Sequence, residues 1–353
     1  MSKILISIIT PNYNGKKFLG PFLDSIRKLN FPKNRIETIL VDNNSEDGSV
    51  EFTKKKYPWA RLIKMDKNTG YAEGCNVGVR NAKGKYIALT NVDITFDKNW
   101  AKELFRFIEN NKKIALVGAK ILNKNEKGKY EIKGYNAPTL MHFNILLKDI
   151  NKNTIEPFEV FGSVSPFYRK NIIHVPFDPD YFAYAEDTYF SWLVMLMGYK
   201  TRIVPKAIAY HEGSGTIKEM KENDFFVFLG ERNRLINLLI FFEFKTIIKL
   251  LPILFITLVI YNLFDIINLF PRLKSYFWLI FNFKLILKKR RFVQSKRKIN
   301  DAKIIRLMSS SLFEESLINN FVMRNIIKLL NKFGCLYCKI LNLKTLEFYR
   351  TQN

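Results

Sequence analysis

The chain has 353 residues, 48% of them hydrophobic, which is enough for one large or two ordinary domains with packed cores. Its formal net charge of +25 divides into +11 over residues 1–217 (33 basic, 22 acidic) and +14 over residues 218–353 (24 basic, 10 acidic), so the shorter C-terminal part is the more basic. This charge indicates an anionic partner, such as a nucleic acid, an anionic membrane surface or a phosphorylated substrate, and three cysteines exclude a disulfide framework.

Predicted strands and helices alternate along the chain. Residues 1–15 are predicted to be a first strand and its turn rather than a signal peptide, because the apolar run is short and is interrupted by Pro11 and Asn12. Further strands are predicted at 37–41, 61–64, 86–89, 114–120, 162–169 and 199–204, with Pro205 as a break, after which residues 207–211 lead into a glycine-rich loop. Helices are predicted at 18–29, after residue 48, and at 71–81, 98–111 and 186–197, and the polar segment 123–160 is predicted to be a loop. This order predicts an α/β fold with a mostly parallel sheet and right-handed crossovers.

Polar residues follow each of the first four strands. They are Asn12 and Asn14, Asp42 and Asn44, Asn68, and Asn91 and Asp93. The carboxyl ends of parallel strands share one edge of the sheet, where open α/β sheets bind their ligands, so a nucleotide is the expected occupant. The first strand is followed by neither a GxGxxG nor a GxxxxGK[ST] motif, which weakens a dehydrogenase or P-loop interpretation.

Two acidic positions have the chemistry of a reaction centre. Asp93, at the end of a buried strand, could hold Mg²⁺ or Mn²⁺ and through it a diphosphate; the alternative is an acid that caps the next helix. Glu186 and Asp187 open a helix; the alternative is a pair of acids favoured there by the helix dipole. Gly70, Gly74 and Gly78 recur every four residues, which fits close approach of a ligand or tight packing of a helix.

Five ordered blocks carry a family resemblance: SIITPNYNG, ILVDNNSEDGS, NTGYAEGCNVGVRNAKGKYIALTNVD, FDPDYFAYAED and AYHEGSG. Together they resemble the family 2 inverting glycosyltransferases with the GT-A fold, and most closely the rhamnosyltransferase-like members. The resemblance covers roughly residues 4–240 and does not specify the sugar.

The resemblance implies a role for individual residues. Those implied to bind the nucleotide are Pro11, Tyr13, Asn14, Asp42, Asn68, Gly70, Gly74 and Asn76. Asp93 and His211 are implied to hold the divalent cation, and Asp187 of the Glu186-Asp187 pair matches the general base. The family pattern often continues Glu-Asp-x-Asp-Leu-x-x-Arg, whereas Tyr189 and Leu193 stand at the second Asp and the Arg, so acceptor contacts are not implied.

The C-terminal part changes character at residue 247. Two apolar segments, 247–264 and 276–287, are followed by the basic run 288–298, with seven basic residues and no acid. The uninterrupted part of the first segment, 250–264, is shorter than the roughly 20 residues of a membrane span. The combination predicts docking on an anionic membrane surface, with a single span or a buried helical pair as alternatives, and is not typical of nucleic-acid binding.

The expected organisation is therefore a GT-A nucleotide-sugar domain over 1–240 and a helical membrane-associating extension over 241–353, at the cytoplasmic face of the cell membrane. The expected function is metal-assisted transfer of a sugar from a nucleotide-diphosphate donor to a lipid-linked or cell-surface glycan acceptor. Two alternatives stay open: a non-catalytic nucleotide-sugar binding protein, and a nucleotidyltransferase. Cys335 and Cys338 lack a second ligand pair and are interpreted as structural.

Overall fold

The computed structural model describes residues 4–125, 128–131, 135–141, 144–147, 166–212, 223–315 and 320–350. The chain divides into two compact units that alternate along the sequence. The first unit comprises Met1–Lys133, Val160–Ser191 and Tyr199–Met220, and the second comprises Gly134–Glu159, Trp192–Gly198 and Lys221–Asn353. The functional boundary placed at residue 240 stays a proposal.

Eleven strands lie in the described residues. They are β1 (Ile6–Asn12), β2 (Ile36–Asp42), β3 (Arg61–Lys64), β4 (Tyr86–Leu89), β5 (Ile94–Phe96), β6 (Ile114–Lys124), β7 (Tyr130–Glu131), β8 (Tyr135–Pro138), β9 (Asn144–Leu147), β10 (Phe167–Arg169) and β11 (Lys200–His211). All except β8 and β9, which form an antiparallel pair in the second unit, belong to one sheet of the first unit. Its order is β3-β2-β1-β4-β10-β6-β11-β5, with β7 beside β6.

The first unit confirms the predicted α/β class. β1, β2, β3 and β4 pair in parallel, as do β6 and β11, whereas β10 and β5 run antiparallel to their neighbours. Because β1 lies between β2 and β4, the polar residues that follow these three strands gather at one edge of the sheet.

Twelve α-helices lie in the described residues. They are α1 (Lys16–Arg27), α2 (Ser49–Lys56), α3 (Gly70–Asn81), α4 (Trp100–Asn110), α5 (Glu186–Leu196), α6 (Asp224–Phe241), α7 (Phe244–Phe264), α8 (Leu269–Phe281), α9 (Phe283–Ser295), α10 (Ala302–Ile305), α11 (Phe321–Ile340) and α12 (Leu346–Arg350). The helices α1 to α4 pack on the sheet of the first unit, and α6 to α12 belong to the second unit.

Helices pack on the sheet through apolar stripes and small residues. Phe22 of α1 meets Phe96 edge to face, and Phe96 stacks on the buried Trp100 of α4. On α3, a Cβ at Gly78 would lie only 2.2 Å from Ile9 Cγ2. The tight packing of α3 on β1 therefore accounts for Gly78, one of the three evenly spaced glycines.

Three predictions about strands need correction. The segment predicted as the loop 123–160 contains the end of β6 and the short strands β7, β8 and β9. Pro205 does not end a strand: β11 continues to His211 because a register shift between Val204 and Ile208 absorbs the missing backbone donor. Strand β5 was not predicted, since three residues after the Asp93 turn carry too little periodicity. The predicted strand 162–169 is found from Phe167, and its first four residues lie outside the described part.

Helix α7 is the one helix among the described residues that is long and apolar enough to cross a membrane, judged by length and composition alone. Four of its residues, Thr246, Leu250, Ile253 and Thr257, are buried within the second unit at a spacing of three and four. Most of its remaining surface is exposed and apolar. A helix with one packed face and one bare apolar face requires a partner for the bare face.

Candidate active site

The ends of β1 and β2 are joined by a buried carboxamide–carboxylate pair. Asn12 Nδ2 donates to Asp42 Oδ1 at 3.1 Å and to Ser45 Oγ at 3.0 Å, while the Ser45 amide donates to Asp42 Oδ2 at 3.0 Å. Both oxygens of the predicted nucleotide ligand Asp42 thus have a protein donor. Ser45 was not singled out from the sequence, because a serine in a polar loop has no distinguishing signal.

The turn after β1 is held against the turn after β2. Asn14 adopts a left-handed conformation with φ 52°, its amide donates to Ser45 Oγ at 3.0 Å, and its Oδ1 accepts from the Glu46 amide at 2.9 Å. Pro11 is buried at the end of β1, whereas Tyr13 is exposed beside it. The clamp therefore fixes the loop while leaving an aromatic ring available to a ligand.

The first turn of α3 closes the other side of this edge. Asn68 Oδ1 accepts from the Gly70 amide at 2.9 Å, and Asn43 Nδ2 donates to the Gly70 carbonyl at 3.1 Å. Gly70 has φ +80°, and a Cβ there would lie 2.4 Å from the Phe182 carbonyl oxygen. At Gly74 a Cβ would lie 3.0 Å from Pro11 Cβ, so glycine is required at Gly70 and favoured at Gly74 by close packing.

Asn76, the last of the predicted nucleotide-binding residues, is buried and engaged elsewhere. Its Nδ2 donates to the Phe177 carbonyl at 2.8 Å, and its Oδ1 accepts from the Phe177 amide at 3.2 Å. In this structure Asn76 anchors the segment before α5 to α3, and its contact with a nucleotide stays a prediction.

Asp93 and His211 meet beyond the end of β4, and their role as cation ligands stays a prediction. His211 Nε2 lies 3.1 Å from Asp93 Oδ2, and the other ring nitrogen, Nδ1, lies 3.1 Å from Asn123 Oδ1. The register between β6 and β11 pairs Asn123 with His211. The contact at Nδ1 fixes the orientation of the His211 ring, and no sequence pattern singles out Asn123.

The chemistry of this corner fits a hard divalent cation. Among the described residues no group of three or more Asp, Glu, His or Cys side chains is placed to hold a metal. Asp93 Oδ1 and Asn91 Oδ1, however, are buried without a hydrogen-bond partner in the described part of the chain. An oxygen and a nitrogen ligand from the protein suit Mg²⁺ or Mn²⁺, which commonly take further ligands from water and substrate phosphates.

A cavity of about 290 Å³ opens beside Asp93. It is lined by Lys17, Phe18, Pro21, Val92, Asp93, Thr95 and Glu212. Glu212 is held at its rim by Lys124 Nζ at 2.7 Å and by the Tyr130 hydroxyl, and these hydrogen bonds lower the pKa of its carboxyl group. The cavity combines an apolar wall with charged groups of both signs.

A strained turn places the acidic pair at the start of α5. Phe182, Tyr184 and Ala185 all have positive φ, at 61°, 69° and 60°. Non-glycine residues pay a conformational penalty there and keep such angles only where surrounding contacts impose them. One such contact is the hydrogen bond from the Ala72 amide to the Phe182 carbonyl at 3.1 Å, which connects this turn to the first turn of α3.

Glu186 and Asp187 sit in different environments. Glu186 is only 8% exposed, its Oε2 has no hydrogen-bond partner in the described residues, and burial together with the charge of Asp187 raises its pKa to about 8. Asp187 is less buried, and its Oδ1 accepts from the Thr188 amide at 2.8 Å. Burial therefore favours the protonated form of Glu186 near neutral pH.

Every predicted site residue lies in the first unit. The structure brings Asp93 together with His211, and Asp42 together with the β1 and β2 turns. Tyr189, which stands at the second Asp of the family pattern, is buried against Tyr181 with ring centroids 5.4 Å apart. That position therefore serves the core here rather than a ligand.

Comparison with known proteins finds a family model and several relatives that resemble part of this chain. Residues 7–169 match the model of Glycosyl transferase family 2. The chain is 26% identical over 226 residues to a glycosyltransferase of Rickettsia bellii, and 28% identical over 121 residues to the poly(ribitol-phosphate) beta-N-acetylglucosaminyltransferase TarS of Staphylococcus aureus. These alignments cover 62% and 33% of this chain, but only 32% and 21% of the relatives' own lengths.

A solved structure confirms the fold. GalNAc-T7, determined with UDP, GalNAc and Mn²⁺, matches with a TM-score of 0.55 at 14% identity, over 69% of this chain and 49% of that one. At this level of identity, the structural similarity shows the GT-A fold alone. The rhamnosyltransferase-like subtype expected from the sequence stays a prediction.

The buried carboxyl of Glu186 predicts a pH dependence of stability. Its pKa rises from 4.5 to about 8 on folding, so between these values the folded protein binds more protons than the unfolded chain, and stability falls as pH rises. A glutamine side chain does not titrate, so the Glu186→Gln variant should lack this pH-dependent loss of stability. Relative to wild type, the variant should gain on the order of 3 kcal/mol in free energy of unfolding between about pH 5 and pH 8, measured by urea denaturation. Glu51→Gln on the exposed surface of α2 controls for the lost charge, and parallel pH profiles of wild type and Glu186→Gln would contradict the expectation.

Proposed function

Because residues 7–169 match the model of Glycosyl transferase family 2, we propose that the chain transfers a sugar from a nucleotide-diphosphate donor to a lipid-linked or cell-surface glycan acceptor, with inversion at the anomeric carbon. The observation that carries the proposal is the buried Asp93 Oδ1, which lies beside His211 at the sheet edge that Asp42 shares and has no hydrogen-bond partner among the described residues. This edge is where an open α/β sheet binds a nucleotide.

The donor would bind along the ends of β1, β2 and β4. The base and ribose would lie against the clamped turns, where Tyr13 is exposed for stacking and the buried Asp42 fixes the turn after β2 through the Ser45 amide. Asn68, Gly70 and Gly74 form the facing wall at the start of α3. GalNAc-T7, which shares the fold, was solved with UDP and Mn²⁺, and this supports a nucleotide diphosphate and a divalent cation as ligands here.

Asp93 and His211 would hold the cation, and Asn123 would keep the His211 ring in place. When bound, the cation supplies positive charge that stabilises the leaving diphosphate. The protein's own part is to present one carboxylate oxygen and one imidazole nitrogen at a fixed separation. The side chains of Asp93 and His211 are only partly exposed, so little bulk water would compete with them for the cation.

Asp187 would act as the general base. It removes the proton from the acceptor hydroxyl as the oxygen of that hydroxyl bonds to the anomeric carbon, and the bond from that carbon to the diphosphate breaks with its electron pair. Glu186 stays protonated near neutral pH and leaves Asp187 as the ionised member of the pair. Inversion follows from a single in-line displacement.

The second unit would hold the enzyme on the membrane surface. Both ends of α7 are tied to this unit: the Glu243 amide donates to Asp301 Oδ2 at 2.7 Å before α7, and Asp265 pairs with the buried Arg272 after it. A helix that crosses a bilayer places its ends on opposite sides, about 30 Å apart. Attachment of both ends to one unit supports docking in the plane of the membrane.

The basic residues of the run 288–298 fall into two groups, one that binds backbone carbonyls and one that is exposed. Arg290 donates to the Leu239 and Phe242 carbonyls, and Arg297 donates to the Phe241 carbonyl, so both satisfy the C-terminal carbonyls of α6. The exposed cations of the run are Lys288, Arg291, Lys296 and Lys298. These remain for an anionic surface, whereas Arg290 and Arg297 contribute to folding.

The cation site is tested by Asp93→Ala. The variant should lose transfer and lose the Mn²⁺-dependent part of nucleotide diphosphate binding, because it removes the oxygen ligand, while its circular dichroism stays that of wild type. Titration calorimetry across a set of nucleotide diphosphates, with and without Mn²⁺, measures this, and Glu51→Gln serves as the control. Full activity of Asp93→Ala, or undiminished wild-type activity in excess EDTA, would refute the cation role.

The base is tested by Asp187→Asn. Turnover should fall by about 10²-fold or more, the usual scale for general base catalysis, with little change in donor affinity. Glu186→Gln is the comparison, since it alters the neighbouring carboxyl but keeps a neutral side chain there. If Glu186→Gln is inactive and Asp187→Asn is not, Glu186 is the base.

The membrane proposal is tested with Lys288→Gln combined with Arg291→Gln. Removing two exposed cations should weaken binding to anionic vesicles about tenfold or more and leave binding to neutral vesicles unchanged, because each basic residue near such a surface contributes about 1 kcal/mol. Sedimentation with vesicles at low and high salt measures this. Wild type should be released by carbonate and high salt, and resistance to both would favour a membrane span instead.

A further inference from the structure

One face of α11 is fixed against the second unit. The buried residues Ile327, Asn331, Gly334 and Cys338 follow one another at a spacing of four and three. Asn331 Oδ1 accepts from the Leu312 and Phe313 amides at 2.9 and 3.0 Å, and a Cβ at Gly334 would lie 2.4 Å from the Ser310 carbonyl. These contacts determine which side of the helix faces outward.

The outward side of α11 is apolar along its length. We call the following six exposed or half-exposed residues the outer stripe: Val322, Ile326, Leu329, Phe333, Leu336 and Ile340. Leu329 is 66% exposed and Ile340 is 72% exposed, although both are aliphatic. Isolated apolar residues are normal at a protein surface, but a continuous stripe marks a surface that has a partner.

Positive charge lies along one edge of the outer stripe. Arg324, Lys328, Lys332 and Lys339 are exposed and fall between the stripe and the buried face, given 3.6 residues per turn. Residues 321–340 contain no acidic residue. An apolar stripe beside a cationic edge is the pattern of a helix that lies in the headgroup layer of a membrane.

The outer stripe adjoins the exposed apolar side of α7. The Tyr337 hydroxyl donates to the Lys249 carbonyl at 2.6 Å, and Lys249 Nζ donates to the Leu341 carbonyl at 3.3 Å, so the end of α11 lies beside the start of α7. The exposed apolar residues of α7 include Ile248, Leu251, Phe255 and Val259. Two neighbouring helices of the same unit thus expose apolar side chains.

We propose that the outer stripe of α11 is a docking face for an anionic lipid bilayer, with α11 lying in the plane of the membrane. This inference rests on the membrane association proposed above and adds a surface that no apolar run in the sequence marks. The spacing of the stripe also suits pairing with a second copy of α11. Self-pairing, however, would bring together two edges that carry only positive charge, whereas anionic headgroups complement them.

The test is flotation of the full-length protein with vesicles of phosphatidylcholine alone or with phosphatidylglycerol added. Leu329→Glu combined with Leu336→Glu should lower partitioning about tenfold or more on both vesicle types, since charge replaces apolar contact. Lys328→Gln combined with Lys332→Gln should lower it about tenfold on anionic vesicles only. The controls are Val175→Glu, an exposed apolar residue of the first unit, and Lys54→Gln combined with Lys55→Gln on α2, which removes the same charge.

The outcomes separate the possibilities. If wild type floats and both α11 pairs lose binding while the controls do not, the inference stands. If wild type floats and only Lys288→Gln with Arg291→Gln weakens binding, α11 is not a docking face, although membrane association holds. If wild type never floats, both proposals fail. If light scattering without lipid shows a dimer that Leu329→Glu with Leu336→Glu dissociates, a second copy covers the stripe and the inference is overturned. Nucleotide binding and thermal unfolding confirm that each variant is folded.

Discussion

The missing side chain at Gly70 is the constraint on which the geometry of the candidate site depends. It lets the Phe182 carbonyl approach the first turn of α3 and accept the Ala72 amide. The turn from Phe182 to Ala185 leads directly into Glu186. Its positive φ angles persist only because surrounding contacts impose them. One close approach therefore couples the first turn of α3 to the acidic pair, and any side chain at Gly70 would displace them relative to each other.

Environment, more than residue type, separates the roles of the acidic side chains. Asp42 is buried and has protein donors on both oxygens, so it fixes the turns after β1 and β2. Asp93 has one oxygen beside His211 and one without a partner in the described residues, which suits a cation. Glu186 is buried, which raises its pKa and favours its protonated form, whereas Asp187 is more accessible. The surroundings of these carboxyl groups, rather than their residue types, thus distinguish them from one another.

The sequence predicted the parallel sheet from strand periodicity, whereas it singled out His211 only through the family resemblance. It could not predict Asn123, since that contact exists only through the register of β6 against β11. It placed a break at Pro205, because local propensity does not reveal a bulge that the neighbouring strand stabilises. The basic run was interpreted as one surface, whereas Arg290 and Arg297 bind carbonyls of a helix distant in sequence.

The same limit applies to apolar periodicity in the C-terminal part. A stripe at a spacing of three and four is what a core helix shows, so the sequence of α11 does not say which of its apolar faces is covered. The packing of Asn331 and Gly334 shows which face is covered. The face that carries them packs against the second unit, and the outer stripe on the other side of the helix is exposed. The lysines then limit the choice of partner. A surface that is apolar at depth and anionic at its boundary satisfies both features of the helix at once, and a soluble partner would need to reproduce that layering.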